Sequence, residues 1–412
     1  MHLFNSLANT VEPLISSSDE ALGIYACGIT PYDTTHLGHA FTYCSVDVLI
    51  RYLEYSGRPA RYVQNVTDID DDMLREAAEK DDDWKRLGDQ WTEQFIEDMT
   101  ALNVRPPDEM PRATSAIPEI VEAVKRLIQA GHAYEEGGSV YYDLDSWPEY
   151  GKLSGLSRDE MLPIANERGN FPEDPNKRQP LDFVLWQAQA SGEPAWESPW
   201  GPGRPGWHIE CSILSGRLGA TLDVHAGGGD LIFPHHESEI AQSEALNKSP
   251  MARTWMHIAM VEHKGAKMSK SLGNMIFVHT LLDGWSPNAI RLYLASHHYR
   301  EAWSYSERDL EVAGNWADSL RRAVQERQGT GKELETHAVE TGFIDAMEND
   351  LNSPEAIKVL LKLGQDIETA NEEGRAVGAA QDVLKELSET LGLRLTPGPP
   401  PSSVVDGWTN HL

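Results

Sequence analysis

The chain has few cysteines and no long apolar run, which disfavours a disulfide-rich secreted protein and a membrane protein. Three cysteines among 412 residues provide no disulfide framework, which fits a reducing compartment. No stretch approaches the roughly 18 apolar residues that a membrane helix needs. Residues 1–13 also lack the basic and apolar regions of a secretion signal. We therefore expect a cytoplasmic protein without membrane contact.

Basic residues are scarce as well. The sequence holds 35 of them against 65 acidic residues, which gives a net charge of −30. This balance disfavours a simple nucleic-acid-binding protein, although a local basic groove can exist on an acidic surface. Apolar residues are plentiful, because 40% of the chain is hydrophobic. That content and length are enough for about two or three domains with real cores.

The N-terminal part alternates strand-like and helix-like segments. Residues 22–27 (LGIYAC) predict a short buried strand, and residues 60–66 (ARYVQNV) predict a second one. Between them, apolar residues recur at helical spacing over 40–53, and Gly57 supplies a stop signal. A strand, a crossover helix and a strand in this order indicate a parallel α/β fold.

After Tyr299 the pattern becomes helical. Segments near 307–327, 354–370 and 376–391 carry helical periodicity without strand signals. Residues 397–403 (PGPPPSS) predict an unstructured end. The sequence thus favours a mixed α/β part followed by a helical part.

Four residues spread over more than two hundred positions could surround one zinc ion. Cys27, Cys211, His235 and Glu239 offer two thiolates, an imidazole and a carboxylate. Glu239 follows His235 by four residues, so both could converge on one ion if that stretch is helical. Such an ion could select a thiol substrate, because thiolate is a softer ligand than hydroxyl oxygen. The alternative is a closed structural zinc site.

Cys44, on an apolar helical stretch, is more typical of a buried small hydrophobe.

Two histidines flank a glycine where the first strand meets its helix. Backbone amides at a helix start favour phosphate, and Gly38 lets a ligand approach the backbone closely. The imidazoles of His36 and His39 could donate hydrogen bonds to phosphate oxygens. Taken alone, the same tetrapeptide is compatible with two surface histidines.

Two further motifs are typical of nucleotide binding, although each could also be a plain surface turn. The first is a lysine-bearing loop that could close over a triphosphate with mobile charges. Its residues are Lys267, Met268, Ser269 and Lys270. In the second, small residues would let a nucleotide sugar contact the backbone while a carboxylate accepts from ribose hydroxyls. Its residues are Gly227, Gly228 and Asp230.

Seven segments, in the family's order, resemble the cysteinyl-tRNA synthetase family. They are 27–33 (CGITPYD), 36–39 (HLGH), 65–71 (NVTDIDD), 181–186 (LDFVLW), 203–211 (GRPGWHIEC), 233–237 (FPHHE) and 267–271 (KMSKS). The resemblance implies a class I synthetase Rossmann-type catalytic domain with a parallel sheet, followed by a C-terminal helical bundle. It also implies zinc, with ATP and L-cysteine as substrates and a cysteinyl-adenylate intermediate.

The resemblance also assigns roles by position. The family's zinc ligands correspond to Cys27, Cys211, His235 and Glu239. Its two ATP signatures correspond to His36 and His39, and to Lys267 and Lys270, and its ribose contact corresponds to Asp230. Residues expected at the cysteine pocket are Thr30, Thr67 and Trp207. Magnesium is expected to accompany ATP.

The expected domain order follows the same resemblance. It comprises a catalytic domain over 1–300 with an inserted segment near 100–200, a helical bundle over 301–395 and a flexible tail over 396–412.

Two related enzymes share this core and differ in the acceptor. Mycothiol ligase passes the cysteinyl group to the amine of glucosaminyl-inositol, and the synthetase passes it to tRNA(Cys). Residues 29–31 and 158–177 resemble the ligase, and no segment of domain size follows Leu393. Residues 331–412 hold six basic residues against fifteen acidic ones, which disfavours contact with an anticodon stem. These features predict glucosaminyl-inositol as the acceptor.

Other segments keep the tRNA alternative open. Glu239 and residues 240–244 are synthetase-like, and so are residues 149–155. A remote alternative is a non-catalytic paralogue that binds a nucleotide or a partner protein. It is disfavoured because the signature histidines and lysines are all present.

Overall fold

The computed structural model describes residues 1–16, 21–33, 35–268, 272–326, 329–396 and 398–411. The strands in this part are β1 His2–Asn5, β2 Thr10–Pro13, β3 Leu22–Ile29, β4 Ala60–Val66, β5 Ala133–Glu136, β6 Ser139–Tyr142, β7 Phe183–Ala188, β8 Gly203–Pro205, β9 Leu222–Gly228, β10 Ala252–Ile258, β11 Val261–His263, β12 Ala266–Lys267 and β13 Trp303–Ser304. The helices are α1 Leu37–Tyr55, α2 Asp71–Lys80, α3 Trp84–Ala101, α4 Ile117–Gln129, α5 Arg158–Asn166, α6 Trp207–Ser215, α7 Glu237–Asn247, α8 Val278–Gly284, α9 Pro287–Ala295, α10 Glu307–Ala323, α11 His337–Glu348, α12 Ser353–Glu372, α13 Gly378–Thr390 and α14 Ser402–Thr409. No helix in these ranges combines the length and the apolar content needed to cross a membrane.

A parallel sheet with the order β10-β9-β3-β4 lies at the centre of the fold. Its strands β3 and β4 are connected by α1, as the sequence predicts. Most residues of β3 are buried, because the strand lies inside the sheet and is covered on both faces. The parallel α/β class is confirmed, although β3 continues to Ile29, two residues beyond the predicted strand.

The side chains of β3 alternate between two hydrophobic cores. Ile24 and Ala26 belong to the core that contains α1 and much of the C-terminal helical region. Tyr25 and Cys27 belong to the other core, together with residues of α4, α6 and α7. Because successive side chains of a strand point to opposite faces, this one strand supports both cores.

An antiparallel sheet with the order β5-β6-β7-β8 follows β4 in the chain and precedes β9. Its last strand, β8, leads through Gly206 directly into α6. A Cβ atom on Gly206 would lie 2.0 Å from the carbonyl oxygen of Val184 in β7, so only glycine fits at this junction. This close approach fixes the start of α6, which carries Trp207 and Cys211.

The C-terminal end of the chain differs from the predicted flexible tail. Residues 402–409 form α14, and Trp408 is only 1% exposed. Its indole Nε1 donates to the carbonyl oxygen of Val104 at 2.9 Å, and its ring meets Phe95 edge-on. The prediction of a flexible tail was wrong for residues 402–409, because the helix is stabilised by docking on a distant part of the chain, which local composition does not report.

A buried ion pair joins α1 to α9. Nη2 of Arg291 lies 2.5 Å from Oδ2 of Asp47, and both side chains are 1% exposed. The same guanidinium donates to the carbonyl oxygens of Leu391 and Leu102, at 2.8 and 3.0 Å. Arg291 therefore links α1 and α9 to the end of α13.

We expect Arg291→Met to lower the free energy of unfolding by about 3 kcal/mol, because it removes one of the two guanidinium groups paired with buried Asp47 and leaves the carbonyl oxygens of Leu391 and Leu102 without this donor. Chemical denaturation followed by circular dichroism measures the change. Arg321→Met is the matched control: its pair with Asp318 is exposed, so the expected loss is below about 1 kcal/mol. Equal losses in the two variants would contradict the assigned role of Arg291.

Candidate active site

The four side chains expected at the metal meet in one buried cluster. Ligand atoms of Cys27, Cys211, His235 and Glu239 all lie within 4.8 Å of one another. None of these residues is more than 5% exposed. Cys27 lies near the end of β3, Cys211 in α6, His235 just before α7 and Glu239 in its first turn. The fold thus brings together residues from three separate segments.

Short contacts join the ionisable groups of the cluster. Oε1 of Glu239 lies 3.1 Å from Nε2 of His235 and 3.4 Å from Sγ of Cys27. A hydrogen bond from Cys27 lowers the pKa of Cys211 to about 6, against the opposing effect of burial. Burial raises the pKa of Glu239, but His225 and His235 outweigh this effect, so the net shift is downward. A divalent cation would balance a thiolate and a carboxylate buried this closely.

A second set of buried side chains could also hold an ion. It consists of Cys27, His225, His236 and Glu239. An ion can occupy only one of the two sets at a time, because both use Cys27 and Glu239. The set with two sulfur ligands is the softer one and suits an ion such as zinc better.

Trp207 packs against this cluster. Its ring stacks on His235 with centroids 4.2 Å apart and planes 23° from parallel.

Thr67, expected at the cysteine pocket, is buried, and its Oγ1 accepts from Nδ2 of Asn65 at 3.2 Å. Thr30 is half-buried three residues beyond Cys27, and its carbonyl oxygen accepts from the amide of Tyr32.

The two signature histidines stack on each other at the start of α1, with centroids 3.8 Å apart. Nδ1 of His36 accepts from the amides of Gly38 and His39, at 3.1 and 3.4 Å. Because Nδ1 is an acceptor, the neutral ring carries its hydrogen on Nε2, where it is available to a phosphate. Burial lowers the pKa of both rings, to about 4 for His39. They are therefore neutral hydrogen-bond donors at physiological pH.

The lysine expected at the triphosphate contacts the carboxylate expected at the ribose. Nζ of Lys267 lies 2.8 Å from Oδ2 of Asp230, and Nη2 of Arg168 lies 3.1 Å from the same oxygen. Met268 is buried. Lys270 and Ser269 lie outside the described residues. Of the two predicted lysines, the described part of the structure thus locates Lys267 beside the predicted nucleotide site.

A side chain at any of three glycines in this region would crowd residues of the site. Strand β9 runs through Gly227 and Gly228, so these glycines lie at the end of a strand and not in the plain surface turn that was the alternative to a nucleotide contact. A Cβ atom on Gly227 would lie 2.8 Å from Cε1 of His236, and one on Gly228 would lie 2.7 Å from Oδ1 of Asp230. A Cβ atom on Gly38 would lie 2.9 Å from Cε1 of His36.

Several residues at the site had no role in the sequence prediction. Histidines surround the cluster: Nδ1 of His208 contacts Nδ1 of His235 at 2.9 Å, and Nδ1 of His236 contacts Nε2 of His257 at 2.8 Å. His236 stands in the same FPHHE segment as His235, which could have indicated it. His257 and Arg168 gave no such signal, because only the fold brings them to the site.

Comparison with known proteins identifies the family. The family model of the class I (C) tRNA synthetase catalytic domain matches residues 14–315, and the DALR domain model matches 342–396. A cysteine–tRNA ligase of Dehalococcoides mccartyi is 40% identical over 408 residues, which cover 98% of this chain and 88% of that protein. One of Legionella pneumophila is 42% identical over 401 residues, covering 95% and 85%. The chain belongs to the cysteine–tRNA ligase family.

Solved structures of other synthetases share the fold. Mycobacterium tuberculosis methionyl-tRNA synthetase bound by methionyl-adenylate superposes with a TM-score of 0.65 at 15% identity, covering 94% of both chains. The LeuRS–tRNA–LeuAMS ternary complex of Agrobacterium radiobacter gives 0.66 at 10% identity, covering 96% of this chain and 86% of that one. The class I synthetase Rossmann-like fold with a C-terminal helical DALR domain is confirmed.

Family membership confirms an ATP-dependent ligase that forms an aminoacyl-adenylate. It overturns glucosaminyl-inositol as the predicted acceptor, because the relatives at about 40% identity over nearly the whole chain are cysteine–tRNA ligases. The prediction weighed the short segments 29–31 and 158–177 and the net charge of 331–412 too heavily. Net charge sums a whole region, whereas nucleic acid contacts only a local surface.

We expect the purified protein to carry about one divalent metal ion per chain, and Cys211→Ser to reduce this by at least about tenfold, because a thiolate is replaced by a poor oxygen ligand. Elemental analysis after dialysis measures the content. Cys44→Ser is the matched control, because Cys44 is also buried but lies in neither set. Equal metal loss in both variants would argue against the two-sulfur site.

Proposed function

We propose that this protein is a cysteine–tRNA ligase that activates L-cysteine with ATP and transfers it to the 3′ end of tRNA(Cys). The observation that carries this proposal is the buried cluster of two cysteines, a histidine and a glutamate beside Trp207. The relatives at 40 to 42% identity, which are cysteine–tRNA ligases, support the acceptor. The match of residues 342–396 to the DALR domain supports tRNA binding by the C-terminal helices.

The cluster fits a zinc ion held by Cys27, Cys211, His235 and Glu239. Two thiolates, one imidazole and one carboxylate form a donor set that zinc accepts. His208 lies against Nδ1 of His235, and His225 against Oε2 of Glu239, so both ligands have a partner that orients them. Bound zinc would supply a soft Lewis acid that prefers a thiolate to a hydroxyl oxygen.

The residues around the cluster provide the walls of a small amino-acid pocket. Trp207 covers His235 with its ring and leaves no space for water between the two planes. Thr67 brings a buried hydroxyl, and Thr30 follows the strand end that carries Cys27. The side chain of a bound amino acid that reaches the cluster would therefore be enclosed by these residues, and a narrow pocket of this kind favours a short side chain such as that of cysteine.

The nucleotide side of the site is built from donors. Nε2–H of His36 is free to donate to a phosphate oxygen, since Nδ1 is used to cap α1. Lys267 adds a positive charge for the triphosphate, which magnesium would accompany. Asp230 offers carboxylate oxygens to ribose hydroxyls. These groups stabilise the negative charge that develops when the cysteine carboxylate attacks the α-phosphate and pyrophosphate leaves.

ATP–pyrophosphate exchange should depend on cysteine and discriminate against serine. We expect kcat/KM for serine to be at least about 10³-fold lower than for cysteine, because a metal ion with two sulfur ligands binds a thiolate much better than a hydroxyl oxygen. Alanine, of similar size and without either atom, serves as the control substrate. Exchange of comparable rate with serine would contradict selection by a metal-bound thiol site.

Labelled cysteine should become attached to tRNA(Cys) in the presence of ATP. We expect the label to be released by mild base, because an ester bond joins the amino acid to the terminal ribose. Transcripts of tRNA(Cys) and of a tRNA for serine would be compared at the same concentration. The proposal fails if cysteine is activated but label accumulates on glucosaminyl-inositol and not on tRNA(Cys).

A further inference from the structure

The peptide between Cys27 and Gly28 lies outside the regular pairing of β3. Residues Leu22 to Ala26 pair in register with β4, the register then shifts, and pairing resumes between Ile29 and Val66. Such an irregularity turns a side chain away from its regular direction. Here it falls on the cysteine that contributes to both candidate ligand sets.

Two side chains hold this peptide in place of a strand partner. The amide of Gly28 donates to Oδ1 of Asn65 at 2.8 Å, and the carbonyl oxygen of Cys27 accepts from Oη of Tyr43 at 3.2 Å. The backbone approach is very close, since a Cβ atom on Gly28 would lie 1.5 Å from the carbonyl oxygen of Asn65. The position of Cys27 therefore depends on Asn65 through both its backbone and its side chain.

The amide of Asn65 has only one satisfactory orientation. Its Oδ1 accepts from Gly28 N and also from Oη of Tyr25, at 2.9 Å. Its Nδ2 donates to Oγ1 of Thr67 at 3.2 Å. A rotated amide would set its NH₂ group against the amide hydrogen of Gly28. Because Asn65 is fully buried, water cannot repair such a mismatch.

We propose that Asn65 is a positioning residue that fixes the Thr67 hydroxyl relative to Cys27 and thereby sets the affinity for the thiol amino acid. This inference rests on the proposed function. The carboxamide of Asn65 contacts both parts of the site. It accepts from the amide of Gly28, at the irregularity of β3 that positions Cys27, and it donates to the hydroxyl of Thr67, which is expected in the pocket. Since Oγ1 of Thr67 accepts from Asn65, its own hydrogen and second lone pair remain for a substrate group.

Asn65→Asp tests this role with a side chain of the same shape. The carboxylate still accepts from Gly28 and Tyr25 but cannot donate to Thr67. We expect KM for cysteine in pyrophosphate exchange to rise about tenfold, the effect of losing one well-placed hydrogen bond. The KM for ATP and the zinc content per chain should stay within about twofold. Calorimetric titration with cysteine should show the same weakening without turnover.

A double-mutant cycle with Thr67→Val separates this role from a general structural one. If Asn65 acts through the Thr67 hydroxyl, Asn65→Asp should change KM for cysteine by less than about twofold once that hydroxyl is gone. Thr67→Ser, which keeps the hydroxyl, should restore sensitivity to Asn65→Asp. Fully additive effects, an equal rise of both KM values or loss of zinc from Asn65→Asp would each overturn the proposal.

Tyr25→Phe provides a second route if Asn65→Asp does not fold. It removes one of the two donors that hold Oδ1 and leaves the carboxamide itself intact. We expect a smaller rise in KM for cysteine, about threefold, that again disappears with Thr67→Val. Persistence of the rise in that background would overturn the role of Asn65. Absence of cysteine-dependent exchange in the unaltered protein would instead overturn the proposed function.

Discussion

The structure depends on placing two cysteines, a histidine and a glutamate together in its interior. A buried charge without a partner costs several kcal/mol, so such a cluster is stable only if its surroundings hold it in a defined geometry and a cation or protons balance it. Cys27, Cys211, His235 and Glu239 are all nearly inaccessible. Cys27 lies in the central strand β3, Cys211 in α6 and Glu239 in the first turn of α7, and His235 stands just before that turn.

The central strand β3 separates this polar cluster from the apolar core, because its side chains alternate between two faces of the sheet. Ile24 and Ala26 face one core, and Tyr25 and Cys27 face the other. The first core is apolar and ties the sheet to the C-terminal helices. The second accepts polar side chains, because Tyr25 donates to Asn65 and the histidines pair among themselves, as His208 does with His235 and His236 with His257. The irregularity after Ala26 then directs the strand end toward the site.

Helices and strands whose apolar spacing is visible within their own segment could be predicted from the sequence. Elements and site residues that depend on contacts with distant parts of the chain could not. The strand over 22–27 and the helix over 40–53 follow from the spacing of apolar residues, which each segment carries by itself. The helix over 402–409 does not, because it is stabilised where Trp408 meets Val104 and Phe95. The same reasoning applies to the site. His235 and Glu239 lie four residues apart and could be paired from the sequence, whereas Arg168, His257 and Asn65 reach the site through contacts with Asp230, His236 and Gly28, which lie 62, 21 and 37 residues away.

Asp230 shows how nucleotide binding can be coupled to the rest of the site. Its Oδ2 accepts from Lys267, the first residue of the lysine-bearing loop, and from Arg168, just beyond α5. The side chain of Lys267 is 44% exposed and that of Asp230 is 25% exposed, so these ion pairs are weak and exchange readily. A ribose hydroxyl that donates to Asp230 competes for the same carboxylate. Under the proposed function, a nucleotide bound at Asp230 would displace these two cations and would free Lys267 for the phosphates, so part of the energy gained at the ribose would offset the lost ion pairs.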